Sequence, residues 1–287
     1  MKKHPVVVIS GGTRGIGYET GRALAGDGWR VALCARDQES ASKVAREFAE
    51  KYSTDTYGAA VDVSNQNSVQ LFADQVGERL GAVDLLICNA AVLGPIGKLL
   101  DVQIGKLNAA FATNVMGVVH SIRAFWSHLI STKDFRIIVL AGGGLGGPNP
   151  LGRALAYVPS KAAVTSIVEL LSDEVAQAGG TINAVAPGNI PTSFMDSVLD
   201  VDQEIAGEHL VSQARERANS SIDASIQDFL NLVRYLSTPM SSHINGRILS
   251  ARWDHVELLS SLRRLTISGN LFRLRRIDES LFSETSE

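Results

Sequence analysis

Apolar and polar positions fall into regular blocks along the 287-residue chain. Short apolar runs rich in β-branched residues are separated by longer segments in which apolar positions recur with helical spacing. A strand covered on both faces has such a continuous apolar run, and parallel strands need helical crossovers between them. Six strands are therefore predicted at residues 5–10, 30–35, 56–61, 83–88, 136–141 and 181–186, with a last strand at 246–250.

The segments between these runs predict the helices. They are expected after the first strand to about residue 26, at 38–52, at 65–80, within 101–131, from 157 to about 178 and at 222–237. Residues 193–220 are expected to form a mobile helical segment over the carboxyl edge of the sheet. This order predicts an α/β fold with a doubly wound parallel sheet and helices on both faces. One domain is expected over residues 1–252, and residues 253–287 form a C-terminal extension, packed on that domain or at a subunit interface.

A glycine-rich turn follows the first strand and opens the first helix. Glycines let a backbone approach a pyrophosphate, and a helix N-terminus offers free N–H groups and partial positive charge. The turn therefore predicts a dinucleotide-binding loop, against the alternative of an ordinary strand–helix turn. The candidate cofactor-binding residues here are Gly11, Thr13, Arg14, Gly15, Ile16 and Gly17.

The end of the second strand indicates which cofactor is bound. An acidic residue there would bind the 2′-hydroxyl of NAD, but this chain has Ala35 followed by Arg36. Arg36 and Arg14 together would grip a 2′-phosphate through charge-assisted hydrogen bonds. The pair favours NADP(H), although either arginine alone is better explained as a solvated surface residue.

Tyr157 and Lys161 are the candidate chemical groups. Residues four apart on a helix project from one face, and an ammonium near a phenol lowers the phenol pKa from about 10. Such a pair can act as a general acid and base near neutral pH. An isolated match would more often be an aromatic residue beside a snorkelling lysine. The other motifs of the chain favour the catalytic interpretation.

Composition narrows the classes of function. The chain is 45% hydrophobic and 20% charged with a net charge of -3, which gives no general argument for nucleic-acid binding. Cys34 and Cys88 lie in predicted strands and are interpreted as core residues, so no disulfide and no metal site are expected. No apolar run reaches the length of about 18–20 residues that spans a bilayer, and no signal peptide is visible, so a cytoplasmic location without membrane contact is expected.

Six ordered motifs together resemble the classical short-chain dehydrogenase/reductase family over roughly residues 5–250. They are the loop from Ser10 to Gly17, the pair Asp62-Val63, the strand end Asn89-Ala90-Ala91, the helical Asn114, the pair Tyr157 and Lys161, and the segment Pro187-Gly188 with Thr192. The resemblance implies a single Rossmann-type domain, a homotetramer or homodimer, and a small polar carbonyl or alcohol as substrate.

The resemblance also implies roles for these residues. Tyr157 would exchange a proton with the substrate oxygen, and Lys161 would lower the Tyr157 pKa and hold the nicotinamide ribose. Asn114 would hold a water that links Lys161 to solvent, and Thr192 would bind the carboxamide. The further cofactor-binding residues implied are Asp62, Val63, Asn89, Ala90, Pro187, Gly188 and Ile190.

One member of the family's catalytic tetrad is missing. The family carries a Ser between the fifth strand and the Tyr, whereas residues 141–156 contain neither Ser nor Thr. Losing one such hydrogen-bond donor costs about 3–4 kcal/mol of transition-state stabilisation. The triple glycine at 142–144 occupies the place, so the backbone near Gly143 and the side chains of Asn149 and Arg153 are candidate substitutes. The alternative is a flexible loop with no catalytic duty.

These features favour an NADP(H)-dependent oxidoreductase, a ketone reductase or alcohol dehydrogenase, acting on a sugar-like or secondary-metabolite intermediate. The missing Ser supports the alternative, a catalytically impaired NADP(H)-binding sensor or assembly protein. The extension from residue 253 departs from the usual family ending and is locally basic, which fits a solvated or subunit-packing tail. A loose link to sugar and polysaccharide pathways rests on this ending and on the glycine-rich stretch.

Overall fold

Seven parallel strands form one sheet in the order β3-β2-β1-β4-β5-β6-β7. The computed structural model describes residues 4–142, 151–188, 190–192, 196–218, 222–262 and 272–273. The predicted α/β fold with a doubly wound sheet is confirmed, and each strand lies within two residues of its predicted position. The strands are β1 Val6–Ser10, β2 Arg30–Ala35, β3 Thr56–Ala60, β4 Leu85–Cys88, β5 Arg136–Leu140, β6 Thr181–Ala186 and β7 Ile248–Ser250.

Helices cover both faces of the sheet. Asp37 and Asn65 begin the second and third helices by accepting hydrogen bonds from the N–H groups of Ser40 and Ser68. The helices are α1 Gly15–Gly26, α2 Gln38–Tyr52, α3 Gln66–Leu80, α4 Ile104–Phe111, α5 Gly117–Ile130, α6 Tyr157–Gln177, α7 Asp196–Leu199, α8 Gln203–Ala206, α9 Glu208–Ala218, α10 Ile222–Leu236 and α11 Val256–Ser261. A π-helical turn, Ala112–Met116, joins α4 to α5.

The first strand shows why these runs are apolar throughout. Val6 and Val8 contribute to the core on one face of the sheet, and Val7 and Ile9 to the core on the other. All four are at most 1% exposed, because alternate side chains of a strand point to opposite faces. Helices α3 and α5 cover the first face, and α1 and α10 the second. Burial on both faces makes the sheet a rigid frame for its carboxyl edge.

The strand order reverses between β1 and β4, and this reversal opens a crevice at the carboxyl edge of the sheet. Ligands of open α/β sheets bind at such a point. The hydroxyl of Ser10, the last residue of β1, accepts from the backbone N–H groups of Asn89 and Ala90, each at 3.1 Å. Side-chain hydrogen bonds therefore continue the β1–β4 junction beyond the ladder.

The C-terminal extension contacts the main body where it is described. Leu259 of α11 is buried, and Phe272 packs against the core cluster beneath α10. The carbonyl of Phe272 accepts a hydrogen bond of 2.7 Å from the N–H of Ile248 in the edge strand β7. Helix α11 was not predicted from the sequence. In the described residues, no helix is both long and apolar enough to cross a membrane.

Candidate active site at the carboxyl edge of the sheet

The glycine-rich loop is shaped by contacts too close for side chains. A Cβ built on Gly17 would lie 2.2 Å from the carbonyl oxygen of Gly11, so only glycine lets α1 start against the loop. Gly11 and Gly15 have φ values of +68° and +54°, in the left-handed region that glycine adopts without strain. The loop is a cradle with room for a pyrophosphate at a helix N-terminus. The residues present therefore fit a dinucleotide.

Asn89 supports this loop from the end of β4. Its Nδ2 donates to the carbonyl oxygens of Ser10 and Gly11, both at 2.9 Å. The amide side chain is therefore engaged in fixing the loop, and its contribution to cofactor binding is positional. Ala90 extends the same junction through its backbone N–H.

The acidic residue nearest the end of β2 is engaged elsewhere. The carboxylate of Asp37 accepts a 2.8 Å hydrogen bond from Ser40 N and begins α2. Hydrogen bonding to Ser40, first to its side chain and then to its backbone N–H, lowers the pKa of Asp37. Arg36 is exposed and lines a cleft at the carboxyl edge, and Arg14 is the exposed residue preceding α1. The corner where an adenosine ribose would lie thus offers two arginines and a carboxylate that is already bonded within its own helix.

Asp62 and Val63 follow β3 and differ in exposure. The Asp62 side chain is exposed, and its Oδ1 accepts from the N–H and the hydroxyl of Ser64 at 2.9 and 2.7 Å. Val63 is buried, and its carbonyl oxygen lies 3.0 Å from Nδ1 of His120. The turn is held in place by these contacts, with the Asp62 side chain at the surface.

Tyr157 and Lys161 lie together at the start of α6, as their spacing predicts. The Lys161 ammonium is 5.8 Å from the centre of the Tyr157 ring. Gly142, two residues beyond β5, lies beside both, because a Cβ built on it would be 3.0 Å from Tyr157 Oη and 2.7 Å from Lys161 Cγ. Gly142 therefore lies next to the phenol, with no room for a side chain between them.

Lys161 is buried, with 3% of its surface exposed, and donates a 2.6 Å hydrogen bond to the carbonyl oxygen of Leu140. The backbone N–H of Ala90 donates to Ser10 instead of to a carbonyl of β5, so strands β4 and β5 separate at this point. The Lys161 ammonium is therefore the hydrogen-bond partner of the Leu140 carbonyl oxygen. Burial lowers the pKa of Lys161 to about 8, and the nearby Cys88 thiol opposes this shift. The pKa of Lys161 therefore lies much closer to physiological pH than that of an exposed lysine.

Asn114 is fully buried in the π-helical turn. Its Oδ1 accepts from Val92 N at 2.8 Å, and its Nδ2 donates to Val92 O and to Ser160 Oγ, both at 2.9 Å. The side chain therefore joins the β4 exit to the catalytic helix. π-Helical turns occur often at functional sites. The amide is engaged in these bonds, and the water contact expected of Asn114 stays a prediction.

The segment after β6 reaches back to the glycine-rich loop. A Cβ built on Gly15 would lie 3.2 Å from Thr192 Cγ2, so Thr192 packs directly on the loop. Gly188 has a φ of +87° and turns the chain after Pro187. The side chain of Ile190 is 6% exposed and belongs to the core, which leaves only its backbone for a cofactor.

A second, smaller hydrophobic cluster covers the substrate side of Tyr157. It joins residues after β4, residues before α6 and residues of α7 to α9. Its members are Leu93, Leu151, Ala154, Val198, Ala206, Leu210, Val211 and Ala214, with Ile96, Tyr157, Val158 and Val201 packed against them. A cleft of about 540 Å³ adjoins the cluster, and Ile96 and Val201 belong to both. The predicted helical segment over the sheet edge is thus anchored by apolar contacts.

The structure describes only some of the residues that were expected to substitute for the missing Ser. Arg153 is engaged through Nη1, which donates to the carbonyls of Glu204 and Ile205. Gly143 and Asn149 lie outside the described residues. In the described part of the chain no carbonyl accepts from the N–H of Gly142. No group of three or more His, Cys, Asp or Glu residues suited to a metal ion occurs among the residues described.

Comparison with known proteins identifies the family. The model of the short chain dehydrogenase family matches residues 5–203, which is more than half of the chain. The chain belongs to the short-chain dehydrogenase family. It is 26% identical over 252 residues to the 3-oxoacyl-acyl-carrier-protein reductase FabG of Staphylococcus aureus, covering 87% of this chain and 97% of that protein.

Two further similarities concern polyketide enzymes. The chain is 30% identical over 199 residues to granaticin polyketide synthase putative ketoacyl reductase 1 of Streptomyces violaceoruber, covering 68% of this chain and 71% of the relative. A crystal structure of a point variant of the actinorhodin polyketide ketoreductase with NADPH superposes with a TM-score of 0.74 at 25% identity. It covers 87% of this chain and 96% of that chain. These matches confirm the Rossmann-type short-chain dehydrogenase fold.

The structural roles of two residues of this short-chain dehydrogenase, Ser160 and Arg153, were not predicted from the sequence. Ser160, with no exposed surface, accepts from Asn114 and donates to the carbonyl of Tyr157 at 2.7 Å. Its position immediately before Lys161 was the available signal. Arg153 had no comparable signal, because its partners lie about fifty residues away in sequence.

Proposed function

We propose that the protein is an NADP(H)-dependent oxidoreductase that interconverts a carbonyl compound and its alcohol. The observation that carries this proposal is the position of Tyr157, with Lys161 beneath its ring and the Gly142 backbone against its hydroxyl. All three lie at the carboxyl edge of the sheet. A phenol, an ammonium and a glycine backbone there match the needs of proton transfer to a carbonyl oxygen.

The cofactor preference is supported by the corner at the end of β2. Arg14 and Arg36 would hold the 2′-phosphate, and Asp37 is held at the start of α2, where it begins the helix. Gly11, Gly15 and the α1 N-terminus would hold the pyrophosphate. Thr192, packed on Gly15, would hold the carboxamide. A bound nicotinamide supplies or accepts the hydride.

The chain's own residues would manage the proton. Tyr157 would donate to the substrate oxygen in the reducing direction and accept the proton in the oxidising direction. Lys161 would stabilise the phenolate that remains and hold the ribose, for which the ammonium must turn from Leu140 O. The Asn114 amide would fix the distance between α6 and the β4 exit through Ser160 and Val92.

The main chain is proposed to replace the missing Ser. Ala141 N donates to Val185 O of β6, and successive N–H groups of a strand point to opposite sides. The N–H of Gly142 therefore lies on the β4 side, where the two strands separate. Glycine leaves room for a substrate oxygen between this N–H and the phenol. A preorganised backbone donor there would stabilise developing negative charge.

The substrate is proposed to be a ketone with an apolar portion. The cleft combines apolar residues such as Pro95 and Val201 with Asp101 and Lys106, and it reaches Arg36, the residue assigned to the cofactor. Two relatives are named as a 3-oxoacyl-acyl-carrier-protein reductase and a putative ketoacyl reductase, which favours a secondary-metabolite ketone over a free sugar. A homodimer or homotetramer remains part of the proposal, supported by the exposed apolar side chains Leu100, Ile104 and Met116 on and around α4.

The test measures binding and turnover separately. Calorimetry with NADPH and NADH is expected to show at least tenfold tighter binding of NADPH. Single-turnover oxidation of NADPH is then followed against 3-oxoacyl thioesters, aromatic ketones and keto-sugars, with Tyr157→Phe as the control. Consumption that disappears in Tyr157→Phe supports the enzyme. Tight NADPH binding with no consumption for any class would favour the sensor or assembly protein instead.

A further inference from the structure

Arg153 lies four residues before Tyr157 in an unusual conformation. Its φ of +61° is in the left-handed region, which a residue with a long side chain rarely adopts. Such backbone strain persists only where surrounding contacts impose it. The contacts made by Arg153 therefore identify what holds the end of this loop.

The guanidinium of Arg153 reaches the last turn of α8. Its Nη1 donates to the carbonyl oxygens of Glu204 and, at 2.7 Å, Ile205. Carbonyls in the last turn of a helix lack helical partners and carry partial negative charge, so a guanidinium is a favourable cap. Helix α8 has only four residues, which makes an external partner important for its position.

Two glycines allow the same arginine to hold neighbouring segments. Gly207 follows α8 with a φ of +82°, and a Cβ built on it would lie 3.3 Å from Cζ and Nε of Arg153. On the other side, the carbonyl oxygen of Arg153 accepts a 3.1 Å hydrogen bond from Gly97 N. Arg153 thus connects the loop after β4, the loop before Tyr157 and the turn between α8 and α9.

The same three segments build the apolar cluster beside Tyr157. Leu93 comes from the first, Ala154 from the second, and Ala206 and Leu210 from the third. Apolar contacts are not directional, so they allow these short helices to slide. The hydrogen bonds from Arg153 fix one position among those that the cluster permits.

We propose that Arg153 is a positioning residue that holds α8 and α9 in place over the substrate side of Tyr157. Only the kinetic consequences of this proposal rest on the proposed oxidoreductase function. The hydrogen bonds from Arg153 to α8 act on the cluster that includes Tyr157 and Val201. Through this cluster they set the shape of the cleft that receives the substrate. The cofactor loop, built by Gly11, Gly17 and Asn89, is not part of this connection.

The test uses Arg153→Lys in the full chain. Lysine keeps the charge and the same left-handed backbone strain, but its ammonium lies on a shorter, flexible stem and lacks the planar guanidinium that lies beside Gly207. Arg153→Gln removes the charge as well. The matched control is Arg234→Lys, because Arg234 forms an exposed ion pair with Asp27 at 2.6 Å.

Hydrogen exchange of residues 196–218 is the first readout and needs no substrate. Both Arg153 variants are expected to speed exchange in this segment several-fold, with the strands unchanged, whereas Arg234→Lys leaves it unchanged. Unchanged exchange in 196–218, or faster exchange throughout the chain, would overturn the proposal. Hydrogen exchange does not depend on activity. A failure of the positioning role of Arg153 can therefore be distinguished from a failure of the oxidoreductase function.

Kinetics with an accepted ketone is the second readout. We expect Arg153→Lys to raise the KM for the ketone about tenfold, with kcat and the Kd of NADPH changed less than about threefold. An equal loss in NADPH affinity would assign Arg153 to general folding and contradict the positioning role.

Discussion

The cofactor side and the substrate side of the crevice are built by different means. On the cofactor side, the turn between β1 and α1 is fixed by backbone contacts and by the amide of Asn89, over short distances and without strain. On the substrate side, short helices rest on a small apolar cluster and are held by an arginine in a left-handed conformation. Only the first arrangement can be recognised from local sequence.

This difference in construction separates binding of the cofactor from specificity for the substrate. A loop in which a Cβ on Gly17 would meet Gly11 O tolerates almost no change, which suits a constant ligand. The cover formed by α7 to α9 rests on non-directional apolar contacts of residues such as Leu210 and Ala214, which suits a ligand that varies. Variants in one region should therefore leave the other largely unaffected, and each prediction below tests that independence.

The largest effect is expected for Tyr157→Phe. Loss of the phenolic proton donor should lower kcat by about 10²–10⁴ while the Kd of NADPH stays within a few-fold of the original. Stopped-flow turnover and calorimetry measure the two quantities. Tyr52→Phe, a change on α2, is the matched control and should retain full activity. Substantial activity in Tyr157→Phe would place the proton donor elsewhere.

Gly17→Ala should produce the opposite pattern. The added Cβ would lie 2.2 Å from Gly11 O, so the loop must open, and NADPH affinity is expected to fall about a hundredfold. At saturating cofactor, kcat should recover to within a few-fold. Gly105→Ala is the control, since a Cβ there meets nothing within 4 Å. Equal effects of the two substitutions on NADPH affinity would show that the loop is not the cradle.

A smaller change is expected for Arg36→Ala. Losing one charge-assisted contact to a 2′-phosphate should weaken NADPH about tenfold and leave NADH nearly unchanged. Arg46→Ala on α2 serves as the control for surface charge. If NADH and NADPH weaken equally, Arg36 does not contact the 2′-phosphate, and the assignment of cofactor preference fails.

The smallest effect concerns stability and pH. Burial lowers the Lys161 pKa from 10.5 to about 8, so between these values the unfolded chain binds more protons than the folded one. This group therefore adds stability as pH rises from 8 to 10.5, on the order of 1–3 kcal/mol. Urea unfolding should show this gain relative to Lys161→Met, while Lys51→Met should follow the original pH profile. Parallel profiles for the original protein and Lys161→Met would contradict the burial of a charged ammonium.

The sheet, the glycine-rich loop and the pair at the start of α6 were all predictable, because each depends on spacing within one or two elements. The engagement of Asn114 with Val92 and Ser160 was not, since it depends on where α6 docks. The contact of Arg153 with α8 was not predictable either. Its hydrogen bonds to α8 follow from tertiary packing that local pattern does not encode.

The role of Gly142 was predictable from the sequence in one respect and not in another. Its sequence shows that a side-chain donor is missing, and the structure places its backbone beside Tyr157 Oη. A Cβ there would be 2.7 Å from Lys161 Cγ, so Gly142→Ser would displace the lysine rather than simply restore a tetrad. Restoring the Ser is therefore a poor test of whether the native site is active.

Transfer of isotope tests the central claim most directly. The protein is mixed with NADPH carrying deuterium at nicotinamide C4 and with each ketone of the panel, and the alcohol is analysed by mass spectrometry. We predict that at least one ketone yields an alcohol with one deuterium from a single face of the nicotinamide, and that Tyr157→Phe yields almost none. Saturating NADPH binding with no deuterated alcohol from any ketone would contradict the oxidoreductase account.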